Sequence, residues 1–263
     1  MKHYSLAVFT KKDGASLEDL LNIYDDKLVV DKYIQYTKND AIIHVKAQIE
    51  NYKNSIYADY MQNPEEYAQD NNDEQHLKYL TEEFPKKLLW TDEECYEDIK
   101  ANYSEDMIDE DGNLYSIHNP KSKWMSYDIG GEFSGKIKLI DGSCVNSAKV
   151  KNAILENNNE VYEQALLTWE IIVEGKEIDD EASLIDVYNF NPDYYLETYG
   201  NKEDFALFES QWITNAVLMP DGEWYEAESS FGEKYNLWKK EYEDRFINAA
   251  DPEWTLTIVD CCM

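Results

Sequence analysis

Apolar residues recur along the first part of the chain with two different periods, and each period predicts its own kind of element. Residues 3–10 and 27–36 alternate loosely between apolar and polar positions, which predicts two β-strands. From residue 38 onward the apolar positions keep helical spacing, and Thr37 forms a capping pair with Asp40 just before them. The pattern therefore predicts one long helix near residues 38–61.

Turn and cap signals divide the middle of the chain. Thr91 followed by Glu94 is a capping box, which predicts the start of a helix. Either Asp111-Gly112 or Gly112-Asn113 predicts the tip of a hairpin. Residues 129–140 contain three glycines and predict a second hairpin or a bulged pair of strands.

The second half of the chain combines shorter patterns. Residues 162–173 fit a helix or a strand, because periodicity does not decide between the two. The other predictions are a helix over 148–155, a hairpin over 211–228 that turns at Pro220-Asp221-Gly222, an amphipathic helix over 235–247 and a closing strand over 254–259.

The order of these elements predicts an α+β fold. Strands and helices alternate without Gly-rich crossover turns, which favours a mostly antiparallel sheet with several helices. No internal repeat and no linker rich in Pro, Gly or Ser interrupts the sequence. One compact domain over residues 1–263 is therefore expected.

Charge is the property in which this chain departs most from an ordinary domain. It carries 55 Asp and Glu against 24 Lys and Arg, a formal net charge of −31, whereas a small domain needs roughly 2–8 units for solubility. The excess would repel phosphates and so disfavours direct binding to nucleic acid. The same field attracts a basic groove on another protein. A merely acidic or halophilic cytosolic protein is the alternative, although the many lysines argue against salt adaptation.

Membrane and secretory signals are absent from the sequence. Its apolar runs are far too short to cross a bilayer, and the N-terminal residues lack the apolar segment of a signal peptide. We therefore expect a cytoplasmic protein without membrane contact. The four cysteines have the spacing of neither a disulfide framework nor a zinc site, and Cys261 and Cys262 are expected to be buried structural residues.

Catalytic and metal-binding signatures are absent as well. The four histidines show no paired spacing, and no nucleophile motif or phosphate-binding loop occurs. Asp109, Asp111 and Asn113 alternate like the start of a calcium loop, but Leu114 and Pro120 stand where that loop requires Gly and Glu. A hairpin tip is the better interpretation, and the sequence predicts no catalytic residue, no metal and no cofactor.

The densest charge cluster holds ten carboxylates within twenty residues, and we predict that it binds a protein partner. Its members are Asp92, Glu93, Glu94, Glu97, Asp98, Glu105, Asp106, Asp109, Glu110 and Asp111. Charges at intervals of several ångströms partly imitate B-DNA, which has one phosphate per about 1.7 Å of axis. Tyr96 and Tyr103 would serve either as interface anchors or as the buried side of the helix. The alternative for the whole cluster is a solvated face without a partner.

The segment 118–135 concentrates aromatic residues, a proline and a glycine pair. Pro120 fixes its own φ and pushes Asn119 towards an extended conformation, while Gly130-Gly131 permits close backbone approach or a positive φ. A stiff structural corner is the preferred interpretation. The alternative is an aromatic-floored pocket formed by Lys123, Trp124, Tyr127, Asp128, Gly130 and Gly131.

The same region resembles a known motif. Residues 111–116 (DGNLYS), 119–124 (NPKSKW), Tyr127 and 129–131 (IGG) resemble a pattern in uncharacterised proteins of bacteriophages and mobile elements, roughly DGN-YS-x-x-NP-x-SKWDWY-x-IGGRW. Those chains also tend to end in a strand like Val259-Asp260-Cys261. Here Met125-Ser126 replaces the acidic-aromatic pair and Glu132-Phe133 replaces Arg-Trp. The resemblance implies a phage-like protein but does not indicate a particular activity.

Acidity, the phage-like motif and the missing catalytic signatures together predict an anti-defence protein of anti-CRISPR or anti-restriction type. In this hypothesis the chain blocks the basic nucleic-acid-binding channel of a host CRISPR effector or restriction enzyme. One alternative is an enzyme that processes a small molecule or nucleotide at the Trp124–Gly131 corner. Another is an accessory phage protein without a catalytic role, whose acidity serves solubility alone.

Overall fold

The computed structural model describes residues 2–71, 73–155, 157–177, 184, 185, 187, 190–229 and 232–263. Helices and a mostly antiparallel sheet give the α+β class that the sequence predicts. Among the described residues, no helix is both long enough and apolar enough to cross a membrane.

The strands and helices follow one another in a mixed order. The strands are β1 (His3–Thr10), β2 (Val29–Tyr36), β3 (Leu114–His118), β4 (Ser126–Ile129), β5 (Ile137–Lys138), β6 (Cys144–Val145), β7 (Ser147–Lys149), β8 (Ile154–Leu155), β9 (Ala216–Leu218), β10 (Trp224–Glu226) and β11 (Thr255–Cys262). The α-helices are α1 (Leu17–Asn22), α2 (Lys38–Tyr52), α3 (Ala58–Gln62), α4 (Pro64–Asp70), α5 (Glu74–Lys78), α6 (Phe84–Lys87), α7 (Asp92–Lys100), α8 (Asn159–Ile172), α9 (Pro192–Tyr199), α10 (Lys202–Ser210) and α11 (Glu233–Tyr242). Turns of π-helix at Lys53–Tyr57, Tyr79–Glu83 and Glu243–Asn248 continue α2, α5 and α11.

The long helix predicted near residues 38–61 is confirmed. Helix α2, its π-helical turn and α3 run without a break from Lys38 to Gln62. Thr37 caps the first turn, because its hydroxyl accepts a hydrogen bond from the Asp40 N–H at 3.1 Å. The segment 162–173, which periodicity left undecided, belongs to helix α8.

Two local predictions are wrong. Residues 148–155 do not form a helix but contain the end of β7, a 3-10 turn and β8. Residues 129–140 do not pair with each other as a hairpin, because β4 pairs with β11 while β5 pairs with β6 and β8. In both segments, partners elsewhere in the chain decide the structure, and local patterns do not report such partners.

By its internal contacts the chain forms two compact units. The larger unit comprises Met1–Leu28 and Asn119–Met263, and the smaller unit comprises Val29–His118. The expectation of a single compact domain over residues 1–263 stays a prediction.

A mostly antiparallel sheet organises the larger unit. Its strand order is β10-β9-β1-β11-β4, and β7 also pairs with β11. Strands β1 and β11 pair antiparallel along their whole length, from His3 opposite Cys262 to Thr10 opposite Thr255. Strands β1 and β9 form a parallel pair. The predicted hairpin over 211–228 and the predicted closing strand are confirmed as β9–β10 and β11.

Side chains alternate between the two faces of this sheet, and both faces are covered. One face packs against α11 and its π-helical turn in a cluster that includes Ala7, Phe9, Tyr242, Phe246 and Ile258. The other face packs against α1 and Trp124 in a cluster that includes Leu6, Val8, Leu21 and Val259. Strand β11 is therefore almost entirely buried, and Asp260 is a carboxylate within it.

The smaller unit builds its core between a two-stranded sheet and helices. Strands β2 and β3 pair antiparallel with two register shifts. Ala41 of α2, Tyr96 of α7 and Leu114 of β3 are buried together. The predicted hairpin tip around Gly112 is confirmed, because Ile108 bridges to Leu114 across it and Gly112 has a φ of +82°.

The burial of the thiols leads to a simple prediction. Cys95, Cys261 and Cys262 are buried, Cys144 is exposed, and all four are free. Burial also raises the pKa of Cys261 to about 12, so its reactive thiolate is scarce at neutral pH. Ellman's reagent should therefore modify one thiol per chain in the folded protein and all four in denaturant.

The variant Cys144→Ser serves as the control for that titration. It should abolish the fast reaction of the folded protein without altering its thermal unfolding. Rapid modification of two or more thiols in the folded state would contradict the burial of β11 and α7.

Candidate functional site

The predicted acidic segment begins at helix α7 of the smaller unit. The Thr91 hydroxyl accepts from the Glu94 N–H at 3.3 Å, and the Glu94 carboxylate accepts from the Thr91 N–H at 2.8 Å. This capping box confirms the predicted helix start. The hydrogen bonds from Thr91 lower the pKa of Glu94. Glu94 therefore stabilises the N-terminal end of α7. The helix dipole at that end also favours the neighbouring acidic residues of the first turn.

Lysines of the smaller unit lie against four of the ten carboxylates. The pairs are Lys46–Asp92, Lys38–Glu93 at 3.2 Å, Lys100–Glu97 at 2.7 Å and Lys87–Asp98 at 3.5 Å. Solvent-accessible pairs of this kind contribute little to stability, because water and salt screen them. Their larger effect is to neutralise much of the charge that α7 presents.

Asp109 holds the turn that follows α7. Its carboxylate accepts hydrogen bonds from the Asn113 side chain at 2.9 Å, the Asn113 N–H at 2.8 Å and the Asp111 N–H at 3.0 Å. The hydrogen bonds from Asn113 lower the pKa of Asp109. This carboxylate therefore has a structural role, as the hairpin-tip interpretation expected.

The uncompensated charge of the segment is concentrated on residues 105–111. Glu105, Glu110 and Asp111 are exposed, and among the ion pairs of the described residues none involves them. Lys32 approaches the neighbouring Asp106, to whose main-chain oxygen it donates a hydrogen bond. The smaller unit as a whole holds 21 Asp and Glu against 8 Lys, a net charge of −13.

Tyr96 belongs to the buried side of α7. It is 3% exposed, and its hydroxyl donates to the Gly112 carbonyl at 2.8 Å. Tyr103 is half-buried and donates to the Gln35 side chain at 2.8 Å. Of the two interpretations left open by the sequence, the buried side therefore applies to Tyr96.

The Trp124 corner of the larger unit is packed. Trp124 is 5% exposed, its indole N–H donates to the Leu21 carbonyl at 3.2 Å, and its ring meets Tyr127 edge-on. The Asn119 amide donates to the carbonyls of Ile23 and Asp25 at 2.8 and 3.0 Å. These are the contacts of a structural corner.

The other residues of the predicted pocket lie along the same stretch. Lys123 forms an ion pair with Glu226 at 2.9 Å, and Asp128 lies opposite Asp260 in the β4–β11 ladder. Gly130 and Gly131 follow β4 with φ values of +81° and +49°. A ligand pocket at this corner stays a prediction.

The glycine pair brings the main chain against β11. A Cβ at Gly131 would lie 2.4 Å from Oδ2 of Asp260, so only glycine fits there. The close approach lets the Glu132 N–H donate to the same oxygen at 3.0 Å. His3 Nδ1 lies 2.9 Å from the other carboxylate oxygen, and this hydrogen bond raises the pKa of His3.

His3, Glu132 and Asp260 thereby form a polar cluster that sequence analysis missed. Each contributes one potential ligand atom, and these atoms lie within 4.8 Å of one another. In the sequence the three residues are separated by 129 and 128 positions, and the pairing of β11 with β1 and β4 joins their segments. Sequence analysis singled out Gly130-Gly131 and the closing strand with Val259-Asp260-Cys261 separately, but neither pattern specifies which strands pair.

Space for a small molecule exists in another part of the larger unit. A pocket of about 660 Å³ is lined by apolar and polar side chains, among them Leu207, Phe208, Gln211, Tyr242 and Ile247. This volume is in the range of ligand-binding pockets. None of the residues from Trp124 to Gly131 contributes to its lining.

Comparison with protein-family models, curated proteins and solved structures finds no match to this chain. The phage-like pattern at residues 111–131 therefore stays a resemblance between motifs. Function has to be inferred from the chain's own residues.

Replacement of Gly131 by alanine should destabilise the larger unit more than replacement of Gly142. Both glycines have positive φ, +49° and +83°, so an alanine costs roughly 1–2 kcal/mol at either position. At Gly131 the new Cβ also meets Asp260 at 2.4 Å, whereas at Gly142 no described residue other than its chain neighbours lies within 4 Å of the new Cβ.

Thermal unfolding of Gly131→Ala and Gly142→Ala measures this difference. At about 2–4 °C per kcal/mol, Gly142→Ala should lower Tm by a few degrees and Gly131→Ala by at least twice as much. Equal decreases in Tm would show that the main chain does not pack closely on Asp260.

Proposed function

We propose that this chain inhibits a host nucleic-acid-binding defence enzyme, of the CRISPR-effector or restriction-enzyme class, in the cytoplasm of the host cell. The chain acts by occupying the basic channel that otherwise holds nucleic acid. The observation that carries the proposal is the surface of Glu105, Glu110 and Asp111, which are exposed and form no ion pair within the described residues, in a unit with a net charge of −13.

Electrostatics explains why such a surface fits a nucleic-acid channel. Lysines and arginines that line these channels neutralise phosphates, and release of counterions supplies much of the affinity. Carboxylates on a protein surface meet the same cations. Since Glu105, Glu110 and Asp111 form no ion pair within the described residues, no such pair has to break before they meet a basic partner, and this lowers the cost of binding.

Rigidity adds to this electrostatic fit. The Asp109 carboxylate fixes the turn that carries Glu110 and Asp111 through its hydrogen bonds to Asp111 and Asn113. The capping box fixes the start of α7. A preorganised charge array loses little conformational entropy when it binds.

Two features of the whole chain support the proposal. The formal charge of −31 disfavours direct contact with nucleic acid, so a protein partner is the better target for this field. The motif at residues 111–131 resembles proteins of bacteriophages and mobile elements, whose hosts use such defence enzymes. An enzyme centred on Trp124 is less well supported, because Trp124 is buried and its indole N–H is bound to Leu21.

A panel of purified CRISPR effectors and restriction nucleases tests the proposal directly. DNA cleavage is measured with increasing amounts of the chain at about 50 mM and about 300 mM salt. We expect inhibition of at least one enzyme at low salt and weaker inhibition at high salt, because screening reduces the attraction. Absence of inhibition across the panel, or inhibition indifferent to salt, would contradict the proposal.

Matched charge variants locate the inhibitory surface. The variant Glu105→Gln/Glu110→Gln/Asp111→Asn removes three exposed carboxylates from the proposed surface. The variant Glu163→Gln/Glu197→Gln/Glu243→Gln removes three exposed carboxylates from helices of the larger unit. Both change the net charge by the same amount.

The two triple variants should differ in their inhibition constants. The first should weaken inhibition by about tenfold, equivalent to about 1.4 kcal/mol, and the second by less than about twofold. Equal effects of both variants would show that total charge and not residues 105–111 determines binding.

A further inference from the structure

One face of the central sheet ends in polar residues. Alternation along paired strands places His3 of β1 and Asp260 of β11 on the same face as Ala7 and Ile258. Ala7 and Ile258 are covered by the hydrophobic cluster around Tyr242. His3 is exposed at the end of this face, next to the buried carboxylate of Asp260. Within a few residues, this face of the sheet therefore passes from the apolar core to the ionisable side chains of His3 and Asp260.

Asp260 is an unusual carboxylate for this chain. Most of the acidic residues are exposed, but Asp260 is 5% exposed and hydrogen-bonded through both oxygens. His3 contacts one oxygen at 2.9 Å, and the Glu132 N–H donates to the other at 3.0 Å. A buried carboxylate held by the main chain on one side and an imidazole on the other has a fixed orientation. Such preorganisation is typical of metal-binding sites.

The distances in the cluster suit a single ion. The His3 nitrogen and the carboxylate oxygens of Glu132 and Asp260 all lie within 4.8 Å of one another. Zinc and similar ions bind such atoms at about 2.0–2.2 Å, which puts the ligand atoms of one tetrahedral ion about 3.3–3.6 Å apart, so small rotations of the exposed His3 and Glu132 side chains bring the three atoms to one ion. Within the described part of the chain, this is the one group of three His, Cys, Asp or Glu side chains with that proximity.

The donor set indicates the class of metal. One imidazole with two carboxylates suits zinc, manganese, iron(II) and related first-row ions, whereas magnesium and calcium prefer oxygen ligands alone. Three protein ligands also leave coordination positions for water or a substrate. We infer that His3, Glu132 and Asp260 form a binding site for a divalent first-row transition-metal ion, independent of the proposed inhibition.

Titration with metal salts tests this inference without reference to any activity. Protein prepared without a polyhistidine tag is titrated with ZnCl₂ and, separately, with MnCl₂ by isothermal calorimetry. Histidine ring signals in ¹⁵N NMR spectra identify the imidazole that binds zinc. We expect one equivalent of either metal to bind, with a specific change of the His3 signals and no competition from a tenfold excess of Mg²⁺.

Ligand variants and a matched control complete the test. His3→Gln and Glu132→Gln should each weaken binding by about tenfold or more. Both side chains are exposed, so the fold should persist, and circular dichroism verifies this. His118→Gln replaces an exposed histidine of the smaller unit and should bind metal like the parent protein.

Several results would overturn the site. These are failure to bind either metal, unchanged affinity in His3→Gln and Glu132→Gln, or an equal loss in His118→Gln. Weak binding of several equivalents that is the same in all variants would show that only surface carboxylates take up the metal. Because the measurement does not involve a defence enzyme, its outcome is independent of the inhibition assays.

Discussion

Strand β11 is the element on which the larger unit depends, because it pairs with β1, β4 and β7. Its side chains enter the hydrophobic clusters on both faces of the sheet, through Ile258 on one face and Val259 on the other. The ladder to β1 joins segments about 250 residues apart, and the ladder to β4 draws in the Gly130-Gly131 turn. As a result, Asp260 lies where three distant parts of the chain meet.

Features with local hydrogen bonds were predictable from the sequence, whereas the pairing of distant segments was not. Thr37 with Asp40, Thr91 with Glu94, and the turn at Asp111-Gly112 all depend on residues within a few positions. The helix expected over 148–155 was wrong because β7 and β8 pair with β11 and β5. The acidic segment was evident, but the lysines that neutralise part of it come from α2 and α6 and are invisible in a local pattern.

The net charge of the chain affects both its stability and its proposed function. A net charge of −31 opposes folding through self-repulsion. Lysines relieve this repulsion on α7, but Glu105, Glu110 and Asp111 lack such relief among the ion pairs of the described residues. Binding of a basic partner would reduce the repulsion at these three residues. The cluster of His3, Glu132 and Asp260 belongs to the other unit and concerns metal chemistry rather than long-range attraction.

A competition experiment between this chain and DNA is the most direct test of the proposed mechanism. A fluorescently labelled duplex is first bound to a defence enzyme that the chain inhibits. The chain is then added while fluorescence anisotropy is recorded. Occupation of the nucleic-acid channel predicts that one equivalent of the chain returns the anisotropy to that of the free duplex, and that more chain is needed as salt rises. A stable complex that contains the enzyme, the duplex and the chain together would contradict it.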